Sequence, residues 1–526
     1  MDRAVQVVDT CFVSPSEGTP KKQLWISALD NLLAYRGHTP TVYFYRSATD
    51  AATDFFSVAR FKESMAKALV PFFPLAGRLS LDTDGQLVID CNAEGALLVV
   101  ARSDDLSLDD FVDLKPTPEL KMLFVPRVEP SSIMLGIQPV RAGRPPRAPK
   151  INLSDASTAP IASSRLRPSI TRRPSTSARQ PHSFRITATG LPLIDEFVDR
   201  LPACRAQLPA CYRLTPDRIM AARRLIAIAD TQGCTIAGSR CGGVALGTAF
   251  HHVAGDAISA FHFFQTWSAI SRQGHGAVPL APPSHDRELL RARSPPVVHP
   301  DALSLFCRQL SLTPPSGPVV NEVFTISKDR LAALKLAASG GGGHVSTFCA
   351  ISALVWRCAC VARGLHPDAK AHLTLPANIR RSLKPSLPDH YFGNAIIFLE
   401  TVGLVKDVIS ESWADTAGRI RRVIGRMDDE VARSAIDYYK LAEGERRPPS
   451  GSLPVTEMRV VSWLGMPVYE ADYGWGKPEM FLGAGSSRQG LVHLMSDGGD
   501  GVRVLVSVEA SSMEELGRLL YANLPC

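Results

Sequence analysis

The stretch Cys241-Gly242-Gly243-Val244-Ala245-Leu246-Gly247-Thr248-Ala249-Phe250-His251-His252-Val253-Ala254-Gly255-Asp256-Ala257 constrains the fold more than any other part of the chain. Val244, Leu246 and Phe250 are strand formers, and the small residues between them leave no solvated face, so the run reads as a buried strand. It delivers His252 to the strand's end, where a rigid element meets a loop and a reactive group is well held. Imidazole is the side chain whose ordinary pKa suits proton transfer near neutrality. Asp256 follows at a spacing that could order the turn and hold His252 in place. On this motif alone, a buried histidine satisfied by a nearby backbone group is an equal reading. A zinc site is disfavoured, because adjacent His251 and His252 point to opposite faces of a strand.

The surrounding text is that of a soluble globular protein. At 526 residues it is long enough for two to four domains, with 45% hydrophobic and 21% charged residues. Met1 to Asp9 carries acids and no long apolar run, so no signal peptide is expected. No apolar stretch approaches the roughly 18–20 residues that span a bilayer. The 11 cysteines show no regular spacing, which fits reduced thiols in a cytoplasmic protein.

Residues 1 to about 135 alternate strand and helix signals. His38 to Tyr45 is a β-branched and aromatic run. Val58, Phe61, Met65 and Leu69 recur at helical spacing, and Gln86 to Cys91 and Ala96 to Val100 read as two further strands. Thr39, Thr41 and Tyr43 place hydroxyls on one strand face, either an ordinary half-buried strand or a polar pocket lining. From Ala257 to Ser271 an apolar helical face returns, and a Pro-rich connection follows to Pro300. The second half repeats the alternation, with strands at 322–326, 373–381, 458–463 and 501–508 and a long helix capped by Ser346. Gly340 to Gly343 lacks a phosphate-loop lysine and does not match a dinucleotide fingerprint, so no phosphate cradle is expected there.

Between Pro139 and about Gly238 the text changes character. Arg-, Pro- and Ser-rich sequence there holds 16 Lys and Arg against 6 Asp and Glu, more than the whole chain's net +7. The remainder is therefore slightly acidic, and the basic balance is no sign of nucleic-acid binding. The first part has the composition of disorder, and Arg218 to Ala229 reads as a short helix.

Four features in order resemble the plant BAHD family of acyl-CoA-dependent acyltransferases. They are His252-x-x-x-Asp256, Asn378-x-Arg380, Tyr391-Phe392-Gly393-Asn394 and Asp472-Tyr473-Gly474-Trp475-Gly476, the last with Tyr473 for the family's usual phenylalanine. Local text at Leu24-Trp25, His38 to Tyr45, Pro71 to Leu79, Asp286 to Arg293 and Trp356 to Cys360 is similar to the hydroxycinnamoyl-CoA branch. The resemblance covers about 1–138 and 240–526.

It implies a mixed-sheet α/β fold of two chloramphenicol-acetyltransferase-like domains with an active-site channel between them. The expected organisation is an N-terminal domain over 1–285, holding the insertion 139–238, then a crossover over 286–320 and a C-terminal domain over 321–526. The resemblance makes His252 the general base. Asp256 becomes structural and paired with Arg380, and Asp472, Gly474, Trp475 and Gly476 form a structural motif. Thr39, Thr41 and Tyr43 match acceptor-side positions. The oxyanion could be steadied by Trp475 or by a backbone amide nearby. The partners implied are an acyl-CoA donor, which is a substrate, and a small-molecule acceptor, with no cofactor, metal, nucleic acid or membrane, in a cytoplasmic monomer.

For the acceptor, Val461-Ser462-Trp463 stands where shikimate- and quinate-type relatives carry Thr-Ser-Trp, and the upstream arginine of those relatives falls near Arg446-Arg447-Pro448-Pro449. An amine or polyamine acceptor is therefore placed ahead of shikimate or quinate. The rival is a catalytically impaired relative that acts as a binding protein, with the insertion as a basic module. In relatives the strand at Ile133 to Gln138 runs almost at once into the text at Cys241. The expectation is that the insertion, disordered or retained intronic sequence, interrupts the strand leading to His252.

Overall fold

The computed structural model describes residues 5–46, 56–103, 117–144, 240–273, 281–306, 312–341, 343–445, 451–484 and 488–524. Chain order in the first part is β1 (Gln6–Val13), β2 (Gln23–Trp25), α1 (Ala28–Ala34), β3 (His38–Tyr45), α2 (Val58–Ala68), β4 (Arg78–Leu81), β5 (Leu87–Asp90) and β6 (Ala96–Ser103). Then come α3 (Pro118–Phe124), β7 (Leu135–Arg144), β8 (Arg240–His251) and α4 (Ala257–Gln273). The second part begins with α5 (Pro300–Leu303), β9 (Val319–Ile326), α6 (Lys328–Ser339), α7 (Thr347–Ala362), β10 (Lys370–Asn378) and β11 (Ile396–Leu404). It ends with α8 (Val405–Ser410), α9 (Trp413–Gly425), α10 (Asp429–Leu441), β12 (Glu457–Ser462), β13 (Met480–Gly483), β14 (Leu491–Ser496), β15 (Val502–Glu509) and α11 (Ala510–Ala522). None of the described helices is long and apolar enough to cross a membrane.

Two six-stranded sheets dominate, ordered β1-β6-β7-β8-β3-β13 and β11-β10-β12-β14-β15-β9. Both are mixed: β6 runs parallel to β7 in the first, and β10, β12 and β14 run parallel in the second. The sheets do not divide at one point along the chain. β13, after most of the second sheet, pairs with β3 from Met480↔Phe44 to Gly483↔Thr41 and closes one edge of the first sheet.

β8 is central because its residues permit it. Leu246 and Phe250 pack with Tyr43 on one side, while Ala245 and Ala249 pack with Val42 and Phe44 on the other. The small residues have a steric purpose: a Cβ at Gly247 would overlap the Phe124 carbonyl oxygen at the end of α3. The first cluster also takes Phe61 and Met65 of α2, Phe261, Phe264 and Trp267 of α4, and Trp463, Met495 and Leu505 from the second part. This apolar body is the seam between the sheets. The other face of the second sheet buries Leu373, Val460, Val492 and Val506 under Ile351, Leu354 and Val355 of α7.

The strand leading to His252 is not interrupted. β7 and β8 pair antiparallel from Leu135↔Phe250 to Arg144↔Arg240, so residues 145–239 enter and leave at the far end of a hairpin. Pro139 to Arg144, read from sequence as insertion, belong to β7. The ladder to β6 lapses between Ile137 and Val140, where Pro139 has no N–H to donate. The helix expected at Arg218 to Ala229 and the Arg446–Pro449 group lie outside the described residues.

Candidate active site

The end of β8 is held from three sides. His251 stands opposite His38 in the β3–β8 register, and its N–H donates to the Met134 carbonyl at 2.9 Å. The His252 N–H donates to the Gly37 carbonyl at 2.8 Å, clasping the strand end to the turn before β3. His251 and His252 then part, as adjacent strand residues must. The His251 ring meets His38 edge-on at 4.9 Å and takes the Val253 N–H on Nδ1 at 3.2 Å. It is a packing residue. The His252 Nδ1 is buried without a hydrogen-bond partner. Burial, joined by the charge of Arg36, holds the His252 imidazole down at about 4, against opposite pulls from its backbone, Asp256 and Asn394.

Asp256 is the N-cap of α4, with Oδ1 accepting the Ser259 N–H at 3.1 Å. Its carboxylate also receives Arg380 as a fork, Nη1 to Oδ2 at 2.7 Å and Nη2 to Oδ1 at 2.9 Å. The Ala395 N–H adds a bond to Oδ2 at 3.0 Å. Burial works against ionisation here, yet Arg380 and the two backbone N–H groups hold the carboxyl below the usual carboxylate range. The Arg380 side chain further donates to the Gly393 carbonyl at 3.3 Å, and Asn378 Oδ1 accepts its backbone N–H at 3.0 Å. Asp256 thus ties the start of α4 to the Tyr391–Ala395 segment.

That segment carries a residue whose use the sequence reading did not foresee. The Asn394 Nδ2 donates to the His252 carbonyl at 2.8 Å and to Asp30 Oδ1 at 2.9 Å. Its Oδ1 is buried and unpartnered, as is Nδ1 of His252. Asp30 closes the α1 capping box with Ser27 and accepts Arg287 Nε at 3.0 Å, so four separated segments meet behind the imidazole. The Asp286 to Arg293 text serves this purpose and also locks Arg293 to Asp437 at 2.6 Å.

The charge of Arg36 acts on His252 and on a second buried histidine, His493. His493, on β14, lies 5.3 Å from the Trp463 ring and is held down to about 4 by burial and by Arg36. Arg36 sits in the turn between α1 and β3, one residue before the Gly37 carbonyl that clasps His252. A lone arginine in a turn has no pattern to reveal it. His493 hides likewise in an apolar strand.

Other expected residues fall where β3 and the Asp472 loop put them. Thr41 and Thr248 share a hydroxyl–hydroxyl hydrogen bond of 2.6 Å, and Thr39 is half-buried nearer His252. The Tyr43 ring packs 4.7 Å from Phe481, and burial pushes its unpartnered hydroxyl far up. Asp472 Oδ1 caps the loop through the N–H groups of Gly474 at 2.8 Å and Gly476 at 3.0 Å, both at positive φ. Trp475 packs 5.1 Å from Tyr45 and stacks 5.4 Å from Phe61. Tyr45 stands seven strand steps from His38, about 23 Å. Trp475 is therefore far from His252, and the expectation that it or its loop steadies an oxyanion does not hold.

The family model described as Transferase family matches residues 3–134 and 221–520. Putrescine hydroxycinnamoyltransferase 1 of Oryza sativa subsp. japonica is 32% identical over 99% of this chain and 100% of its own length. A hydroxycinnamoyl-CoA:5-hydroxyanthranilate N-hydroxycinnamoyltransferase of Avena sativa is also 32% identical, over 98% of this chain and 99% of its own. Among solved structures, vinorine synthase superposes with a TM-score of 0.64 at 19% identity, covering 99% of this chain and 98% of that one, a likeness of fold. The mixed sheets are accordingly those of two chloramphenicol-acetyltransferase-like domains. The chain belongs to the Transferase family, as an acyl-CoA-dependent acyltransferase of the BAHD group in its hydroxycinnamoyl-CoA branch.

Proposed function

We propose that this chain moves a hydroxycinnamoyl group, such as p-coumaroyl, caffeoyl or feruloyl, from CoA to an amine or hydroxyl acceptor in one ternary complex, with His252 as general base. The observation that carries the reading is the pair of buried unpartnered atoms, His252 Nδ1 and Asn394 Oδ1, on residues already joined by the Asn394 amide N–H to the His252 backbone carbonyl. A proton on Nδ1 that faces the amide oxygen leaves Nε2 as the free base. Asn394 is thus a positioning residue for the tautomer.

The chemistry follows from His252 being neutral at physiological pH. As the acceptor lone pair attacks the thioester carbonyl, its N–H or O–H becomes acidic, and Nε2 takes the proton. The C–S bond then breaks, the tetrahedral oxyanion reforms a carbonyl, and the departing thiolate takes the proton from the imidazolium. An imidazole held near 4 gives a strongly acidic imidazolium, which favours that return. No acyl-enzyme is required, and holding both substrates across one histidine supplies the proximity.

The support from kinship is that the relatives similar to this chain bear hydroxycinnamoyltransferase names, with putrescine and 5-hydroxyanthranilate as their acceptors. The test is thiol release from p-coumaroyl-CoA with a panel of amines and hydroxy acids. His252→Ala should cost at least about 100-fold in kcat, the lower worth of a positioned base. Equal turnover by His252→Ala would end the reading. A folded wild-type chain that binds CoA yet releases no thiol with any acceptor would favour a binding role.

A further inference from the structure

One imidazole in the seam has no part in the chemistry above and no bond of its own. His493 Nδ1 is buried without a hydrogen-bond partner, although the residue as a whole keeps partial exposure. Among the described residues its side chain makes no hydrogen bond and no ion pair. The strand register fixes where it points. His493 stands opposite Val461 on one side and Leu505 on the other, two residues before Met495. Leu505 and Met495 belong to the seam and Val461 packs against it, whereas Val492 and Leu494 turn into the core under α7. His493 therefore presents its ring to the seam. A ring kept there only for packing would be apolar, because an unpaired buried polar atom costs stability.

The same register gives its distance from the reacting end. The Trp463 ring is 5.3 Å from His493, and a Cβ on Gly483 would lie 3.7 Å from that indole. Gly483 pairs with Thr41, three strand steps past His38, which stands opposite His251. Trp463, with His493 beside it, thus stands roughly 10 Å along β3 from the His252 end. A hydroxycinnamoyl group whose thioester carbonyl sits at His252 reaches a comparable distance to its para oxygen. Phe261 and Phe481, 6.2 and 5.6 Å from the Trp463 ring, supply aromatic walls for a flat aryl group. Neighbouring hydroxyls are spent or sealed: Thr41 is bonded to Thr248 at 2.6 Å, and Tyr43 is 1% exposed.

We propose that His493 is a specificity-determining residue that hydrogen-bonds the phenolic hydroxyl of the acyl donor, so that p-coumaroyl-CoA is preferred to a thioester lacking the phenol. This rests on the acyl-transfer reading and names the part of the donor that is recognised. Burial and the charge of Arg36 keep the imidazole neutral above about 4, so it carries one N–H and one lone pair. A phenol both donates and accepts, and so matches the ring in either tautomer.

The experiment is calorimetric titration of p-coumaroyl-CoA and of cinnamoyl-CoA into wild type, His493→Phe and His493→Gln, as full chains without acceptor. Wild type should bind the phenol about 3- to 10-fold more tightly, the worth of one neutral hydrogen bond. In His493→Phe that ratio should fall towards unity through weaker p-coumaroyl-CoA binding, and His493→Gln should restore part of it. A residue needed only for packing would weaken both thioesters alike; that result, or an unchanged ratio in His493→Phe, overturns the proposal. A kinetic arm holds p-coumaroyl-CoA fixed and compares tyramine with phenethylamine. Selectivity for tyramine that is lost in His493→Phe, with the donor ratio unmoved, would put the phenol on the acceptor and likewise overturn it. Absence of thiol release across the acceptor panel would end the acyl-transfer reading, whereas the donor ratio is read without turnover and stands or falls by itself. A folded chain that binds neither thioester overturns both.

Discussion

Replacing Asp256 by alanine tests the geometry behind His252 most directly. The substitution removes four bonds at once: the two-pronged Arg380 contact and the N–H bonds from Ser259 and Ala395. It leaves a guanidinium only 7% exposed without its acid. Breaking a buried ion pair from one side costs about 3–5 kcal/mol. For an ordered body of roughly 400 residues, an unfolding entropy of about 2.1 cal/mol/K per residue converts 4 kcal/mol into a fall in Tm of about 5 °C. Arg380→Ala should cost less, because Asp256 keeps its backbone donors. The Asp256→Ala/Arg380→Ala pair should lie about 2 kcal/mol above the sum of the singles, within the usual range for contacting residues. Activity should follow, since Asp256 and Arg380 grip Ala395 and Gly393 on either side of Asn394. A loosened Asn394 should lower kcat by about 100-fold. Calorimetry on the four proteins and thiol release on each are the assays. A change in Tm below about 1 °C for Asp256→Ala, or strict additivity in the double variant, would refute the argument.

Two further outcomes follow from the structure. Residues 145–239 replaced by an Asn-Gly turn should give a protein with undiminished Tm and thiol release, because β7 and β8 already pair to Arg144↔Arg240; a chain that fails to fold would show that the hairpin depends on the segment. His252, His285 and His493 are each held at about 4, by burial first, from an ordinary 6.5. The unfolded chain therefore binds protons from pH 6.5 downward while the native state resists until about 4, so stability is full above 6.5 and drops through that window. His372, raised by Glu400, works the other way and offsets a part. Urea midpoints at pH 7, 6 and 5 should fall in order, and a constant midpoint would contradict the burial of these rings.

What the sequence made legible was whatever a local pattern can carry. β8 announced itself through alternating strand formers and small residues, and His252 and Asp256 came with it. The Asp256–Arg380 pair was accessible only through resemblance, and the structure places it as expected. Asn394 stood inside a recognised motif, but its contacts with Asp30 and His252 span 364 and 142 residues, beyond any periodicity. The four residues of β13 follow a glycine-rich loop and give too short a run to read as a strand. The basic text at 139–238 misled in one respect. Its composition marked an interruption, whereas backbone pairing shows that the interruption falls at a hairpin end rather than within the strand.

The placement of β13 also bears on how the protein is made. The edge of β3 that Met480–Gly483 will cover stays open until almost the whole chain has left the ribosome. About 230 residues separate the end of β8 from β13, and synthesis at roughly 5–20 residues per second leaves that edge uncovered for roughly 10–45 s. A nascent chain in that interval presents the apolar run Val42 to Tyr45 on a free strand, a template for pairing with other chains. Any product terminated before Met480 would keep that edge permanently, so the first sheet cannot be expected to survive as an independent piece.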